Sequence, residues 1–259
     1  MDHTNTTYVV PAVEKAILIL EYLTNSSEGR RLRDLNKELG IPKTTAFSIM
    51  NTLVHSGLAK KNTDGLYLPT LKLTAMGIQA KELTNKSHSF RPQLEELRDL
   101  TGFTVFYSIY DNGEQIILEK LDGLSSVVFK SYIGERKRIT TSANGKAMAA
   151  YLSPQDLQAV LEKGFAKLTT NSICSEHVFL EQLELIRKQG YAIDDGEGEL
   201  GVRCIGVPVF MYLDRVYGAI SISALSDGLP FTEIPKYAKL LREVAADMSK
   251  NLGYTGAVY

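Results

Sequence analysis

Lys43, Thr44, Thr45, Ser48 and Asn51 are small polar or basic side chains clustered at helical spacing. Groups of this kind read base edges and phosphates when a helix carries them into a DNA groove. Lys60 and Lys61, a little further on, are adjacent cations suited to phosphate. A second group lies far along the chain. Ser221 and Ser223 stand two apart in an otherwise apolar run, so a strand would put both hydroxyls on one face, and Val202 and Cys204 share a face in the same way. Paired hydroxyls on a buried face need partners; a ligand carboxylate is one, neighbouring backbone another. The small polar turn before Gly145 leads into a helix, so the amides around Ala143, Asn144 and Gly145 would aim free N–H groups at one spot, where a carboxylate or phosphate could sit.

Catalysis and metal binding have less support. The histidines are His3, His55, His88 and His177, and only His177 falls in the larger C-terminal part. A lone histidine gives no base with an orienting partner, and no nucleophile elbow, phosphate loop or HExxH pattern occurs. Cys174 and His177 are three apart, but two ligands do not make a metal site. No catalytic residue, metal ligand or cofactor is expected.

The elements that must hold these groups can be read from periodicity. Leu32, Leu35 and Leu39 stripe a first helix, Gly40-Ile41-Pro42 breaks it, and Ala46, Ile49, Met50 and Leu53 stripe a second over Lys43 to Val54. The opposite face of that second helix carries Thr44, Ser48, Asn51 and His55. Leu58 to Lys61, the turn signal Asp64-Gly65 and Leu66 to Leu68 then predict a hairpin. Helix, tight turn, polar helix and basic hairpin in this order describe a winged helix-turn-helix. From Glu28 to Lys72 there are eight Lys or Arg against four acids, whereas the whole chain carries −1, so the positive balance is local. An earlier helix striped by Val13, Ile17, Leu20, Tyr22 and Leu23 should pack behind the pair. A later one, with Leu71, Leu73, Met76, Ile78 and Leu83 and running to about His88, is a candidate linker whose apolar positions call for a dimer partner.

Beyond Pro92 a helix striped by Leu94, Leu97 and Leu100 ends at Gly102. Strands are predicted over Thr104 to Tyr110, Gln115 to Leu121, Ser126 to Tyr132, Tyr191 to Asp194, Val202 to Tyr212 and Val216 to Leu225. Helices are predicted over Gly145 to Leu152, Gln155 to Leu161, Glu176 to Gln189 and Ile234 to Leu252, the third packing through Val178, Leu180, Leu183, Leu185 and Ile186. Hairpins interspersed with helices predict an α+β fold with a largely antiparallel sheet. The expected domains are residues 9–70, a linker helix over 71–90, and a larger domain over 91–255.

At 259 residues, with 44% hydrophobic and 23% charged residues, the chain suits one large or two ordinary globular domains and no membrane span. Two cysteines outside any CxxC pair, and a polar N-terminus without an apolar signal region, point to the cytoplasm and reduced thiols.

Three patches together resemble the IclR family of bacterial transcriptional regulators: Gly40-Ile41-Pro42-Lys43-Thr44-Thr45; Ile139 to Ala147, read ITTSANGKA; and Gly190-Tyr191-Ala192-Ile193-Asp194-Asp195 followed by Gly201-Val202-Arg203-Cys204-Ile205-Gly206-Val207-Pro208. Two features depart from the family's pattern: Thr140-Thr141 replaces a usual histidine, and Asp194-Asp195-Gly196-Glu197 lacks the consecutive acids that usually follow the first Asp. The resemblance implies a GAF-like effector domain, a homodimer or homotetramer on a palindromic double-stranded operator, and a repressor more often than an activator. It also implies a pocket drawing on Ala143, Asn144, Asp194, Val202, Cys204, Ser221 and Ser223, filled by a small carboxylate metabolite such as an oxo- or hydroxy-acid. Without that implication, Asp194 to Glu199 reads more readily as a solvated turn and Cys204 as a small buried filler. The alternatives to a DNA-binding regulator are a winged helix used for protein docking beside a sensor domain, and an enzyme using the C-terminal pocket.

Overall fold

The computed structural model describes residues 9–26, 28–84, 90–212 and 215–256, the stretch 81–84 by its backbone. Two compact units divide the chain, Met1–Ser87 and His88–Tyr259.

The first unit contains α1 (Pro11–Thr24), α2 (Leu32–Leu39), α3 (Lys43–His55), β1 (Ala59–Lys61), β2 (Tyr67–Pro69) and α4 (Leu71–Thr84). Its core is Ile19, Leu23, Leu35, Ile41, Ala46, Met50, Leu53, Ala59 and Tyr67 with their neighbours. α2 starts with the Arg31 amide donating to Asp34 Oδ2 at 2.9 Å, and ends at Gly40, whose φ of +66° is the left-handed turn that sends the chain into α3. The stripe expected on α3 is buried as read. On α1 the buried residues are Ile19 and Leu23, with Ala16 and Leu20 packed beside them; Val13 and Ile17 are exposed. Both apolar sets fit a helical period, and tertiary packing chose the second. The wing is shifted by one residue from its expected start, and its turn is built by Asn62, whose Oδ1 accepts the amides of Asp64 and Leu66 at 3.1 and 2.8 Å. On α4, Leu71, Met76 and Ile78 are exposed within the protomer; the expected continuation past Thr84 toward His88 lies outside the described residues.

The second unit contains α5 (Arg91–Thr101), β3 (Thr104–Asp111), β4 (Glu114–Leu121), β5 (Arg136–Arg138), α6 (Ala143–Ala149), α7 (Pro154–Glu162), α8 (Glu176–Gln189), β6 (Ala192–Asp195), β7 (Val202–Met211), β8 (Arg215–Leu225) and α9 (Ile234–Asn251). The strands form one sheet in the order β5-β4-β3-β8-β7-β6, with every neighbouring pair antiparallel. Alternation along the strands gives the sheet two unlike faces. Val105, Tyr107, Ile205, Val207, Ile220 and Ile222 form one, packed with Leu94 and Leu97 of α5 and with Leu241, Ala245 and Met248 of α9. Phe106, Ser108, Cys204, Ser221 and Ser223 belong to the other, which walls a pocket.

Four expectations are corrected here. Leu100 is 60% exposed, so α5 buries only Leu94 and Leu97 of its expected stripe. Residues 126–132 form no strand; the sheet's edge is instead β5, where Arg136 pairs with Ile116 and Lys137 with Gln115. Glu135 already bonds Ile117 through its carbonyl, so the chain reaches the β4 edge only after the 126–132 stretch has turned. α6 begins at Ala143 rather than Gly145. α8 buries Phe179, Leu183 and Ile186, leaving Val178, Leu180 and Leu185 exposed. Phe179 and Leu183 sit one turn apart and share a buried cluster with Ala147 and Met148 of α6.

Candidate functional site

Two surfaces carry the residues singled out from the sequence, one in each unit. On α3, Lys43, Thr44, Ser48 and Asn51 are exposed and Thr45 is half-buried. Ser48 Oγ donates back to the Thr44 carbonyl at 3.1 Å, which keeps that hydroxyl close to the helix. On the wing, Lys60 and Lys61 are exposed, and Lys61 Nζ lies 5.4 Å from the centre of the Tyr67 ring. Lys72 Nζ donates to the Ser56 carbonyl at 2.7 Å, capping the end of α3 with a cation.

In the second unit a pocket of about 410 Å³ opens on the polar face of the sheet. Ala143, Asn144, Asp194, Val202, Cys204, Ser221 and Ser223 all line it. Cross-strand register explains the grouping: Asp194 lies opposite Cys204, and Cys204 opposite Ser223, so three side chains from three strands form one row. Ser223 Oγ donates to Cys204 Sγ at 3.0 Å. The hydroxyl's partner is therefore a thiol, a third answer beside ligand and backbone. Burial pushes the Cys204 thiol far above its ordinary value and Asp194 pushes it further, so it stays protonated and unreactive at neutral pH.

Asp194 is almost wholly buried, and its Oδ1 accepts the amides of Glu197 and Gly198 at 2.8 and 3.4 Å. Burial raises its pKa; those amides and the Lys146 charge pull the other way. The turn after it is buried at Gly196 and Glu197 and reaches solvent at Glu199. Thr169 Oγ1 donates to the Gly196 carbonyl, Ser172 Oγ to that of Glu197, and Asn171 Nδ2 to that of Asp195.

The helix start behaves differently from expectation. Ser142 caps α6 by accepting the Gly145 amide at 3.0 Å, so that N–H is not free for a ligand. Ser142 Oγ also accepts Gln115 Nε2 at 2.6 Å. Asn144 Nδ2 donates to Ser108 Oγ at 3.2 Å, while Asn144 Oδ1 and Gln115 Oε1 are buried without a hydrogen-bond partner. Unpaired buried acceptors of this kind are costly.

Sequence reading missed Ser108, Gln115 and Lys137, which also line the pocket, and a buried ion pair in the same unit. Lys146 is completely buried inside α6, and its ammonium pairs with Glu197. The run Gly145-Lys146-Ala147 was the only signal for it; Glu197, far away in sequence, gave none. Burial raises the Glu197 pKa despite Lys146, because desolvation outweighs the cation's attraction. Of the pair considered for metal, Cys174 is exposed and His177 reaches Glu181; no cluster of three or more His, Cys, Asp or Glu that could hold a metal occurs among the described residues. No helix among them is long and apolar enough to cross a membrane.

Two family models match the chain: the IclR helix-turn-helix domain over residues 12–63, and "Bacterial transcriptional regulator IclR C-terminal" over residues 80–250. The chain is similar to the HTH-type transcriptional regulator XynR of Escherichia coli (strain K12), 30% identical over 251 residues covering 95% of this chain and 98% of that protein. It is also similar to the DNA-binding transcriptional repressor YiaJ of the same strain, 32% identical over 246 residues covering 93% of this chain and 87% of that one. Among solved structures, Thermotoga maritima IclR aligns over 94% of this chain and 99% of its own, with a TM-score of 0.72 and 26% identity.

Proposed function

The chain belongs to the IclR family of bacterial transcriptional regulators, and from that premise we propose that it is a cytoplasmic repressor that binds a palindromic operator and releases it when a small carboxylate metabolite, an oxo- or hydroxy-acid, fills the pocket. The observation that carries this reading is the presence in one chain of an exposed polar face on α3 and a polar-walled pocket in a separate unit. The relative named as a repressor supports the sign of regulation.

A single winged helix buries on the order of 600–1,000 Å² on DNA, little for tight specific binding, so a second half-site read by a second copy is required. The exposed apolar residues Val13 and Ile17 of α1, with Val10 just before it, and Leu71, Met76 and Ile78 of α4 favour a homodimer, or a pair of dimers, over a monomer.

On DNA, Lys43, Thr44, Thr45, Ser48 and Asn51 approach base edges and flanking phosphates, and Lys60 and Lys61 contact phosphate. The double substitution Lys60→Ala/Lys61→Ala should weaken binding to every sequence alike. It should also reduce the slope of log affinity against log salt by about 1.8 per half-site, roughly 0.9 for each phosphate left without its lysine. Asn51→Ala should instead change the preference between operator variants. Uniform loss from both sets of changes, measured by filter binding across a salt series, would refute the groove assignment.

For the pocket, an effector at a hundred times its dissociation constant should stabilise the chain by about 2.7 kcal/mol. The effector must favour the DNA-incompetent state, since equal affinity for both states shifts nothing. The double substitution Ser221→Ala/Ser223→Ala should abolish the thermal shift given by organic acids that release operator DNA. An undiminished shift would place the effector elsewhere.

A further inference from the structure

Phe47, in the second turn of α3, is 51% exposed and lies outside the packed cluster of its unit. Tyr22 and Tyr67, the other aromatic residues described there, both pack with that cluster. One exposed apolar residue is ordinary on a protein surface, so position must carry the argument. Lys43, Phe47 and Asn51 follow one another at one turn of helix and form a single exposed row. The hydroxyls beside that row are already engaged: Ser48 Oγ donates to the Thr44 carbonyl and Thr52 Oγ1 to the Ser48 carbonyl, each at 3.1 Å. Their protons are turned back onto the helix. What the row offers to a partner is a cation, a ring and an amide.

A helix that reads DNA lies in the major groove with its N-terminal residues at the base edges. Phe47 is the fifth residue of α3, whereas Val54, the other exposed large apolar residue of the helix, is the twelfth. The base edges in that groove are donors and acceptors, with one apolar group among them, the C5-methyl of thymine. A ring pressed against a polar edge would strip it of water and return no hydrogen bond. Wedging between base pairs, another use of phenylalanine on DNA, works from the minor groove and requires a kinked duplex.

Resting on the DNA reading above, we infer that Phe47 is a specificity residue that reads the methyl group of one thymine in each half-site. Four residues of helix rise about 6 Å, close to two base steps of roughly 3.4 Å. The thymine therefore lies within about two base pairs of the base met by Asn51. The row then divides its work: Lys43 and Asn51 supply polar contacts, and Phe47 supplies the apolar one that the hydroxyls of this face cannot.

The test starts from duplexes that the full chain selects out of a random-sequence pool. Each thymine of the selected half-site is replaced in turn by deoxyuridine, which removes the methyl group and keeps every hydrogen-bonding atom. At one position the replacement should weaken wild type about fourfold per half-site, the worth of one buried methyl group. Phe47→Ala should bind the thymine and uracil duplexes alike and should select sites in which that position is no longer fixed. Phe47→Leu, still apolar, should keep part of the discrimination. Both variants should melt with wild type, since the side chain lies outside the core. A selected site in which no thymine responds to loss of its methyl group would overturn the inference and leave the DNA reading standing. A methyl group that matters equally to wild type and to both variants would do the same, giving the contact to another side chain such as Thr44. Failure of wild type to select any sequence would overturn the DNA reading together with the inference.

Discussion

Lys146→Met should destabilise the second unit by about 3–5 kcal/mol near neutral pH, because it strands Glu197 as a buried carboxylate without its cation. The deficit should depend on pH. The folded-state pKa of Glu197 is already raised by burial, and removing Lys146 raises it further. A carboxylate whose folded pKa lies above its unfolded value is best tolerated below the unfolded value, and that contribution is lost as pH rises through the folded one. The Lys146→Met deficit should therefore shrink as pH falls from neutral toward the ordinary glutamate value of 4.5. Adding Glu197→Gln should restore much of the loss at neutral pH. Urea denaturation of the three proteins at two pH values checks this. A deficit that ignores pH and persists in the double variant would assign the role of Lys146 to its aliphatic stem alone.

Gly206→Ala should also be damaging, to a smaller degree and for a steric reason. A Cβ at Gly206 would lie 2.5 Å from the Ala143 carbonyl carbon, 2.6 Å from its oxygen and 2.8 Å from the Asn144 nitrogen. Ordinary strand propensity favours alanine over glycine, so any loss measures the collision. The start of α6 must lift away from β7, at a cost of about 1–3 kcal/mol. Ala143 and Asn144 move with it, so effector affinity should fall at least tenfold. Gly228→Ala, with nothing within 4 Å of its added carbon, is the control and should be neutral. Equal melting temperatures and affinities for Gly206→Ala and wild type would show that α6 is not held against the strand.

How much of this is legible in the sequence depends on how local the determining contacts are. The α3 stripe, the β3–β4 hairpin with Asn112 and Gly113 at positive φ, and the long β7 and β8 strands all follow from nearest-neighbour rules, and the structure bears them out. A period of two places Ser221 with Ser223 and Val202 with Cys204, and the family resemblance adds Asp194 from another strand; these residues do line one pocket. The misreadings share a cause. Arg136-Lys137-Arg138 has the composition of a solvated charge run, and only pairing with β4 makes it a strand with Lys137 facing inward. Ser126 to Tyr132 has the composition of a strand but forms none. On α1 and α8 two apolar stripes compete, and only the packed neighbour decides between them. The Lys146–Glu197 pair spans fifty-one positions, beyond any local pattern.

The strand order also sets a timetable for assembly. β3–β4 and β7–β8 are hairpins that close locally, but the sheet exists only once β3 pairs with β8, Thr104 meeting Ser223 across more than a hundred intervening positions. Closing so long a loop is the slow step of such a topology. On the ribosome the winged helix is complete before Leu94 has been added, whereas the sensor waits for β8 and then α9. A chain halted anywhere between those points carries a finished DNA reader joined to an unfinished receiver, and clearing such fragments falls to the cell's proteases.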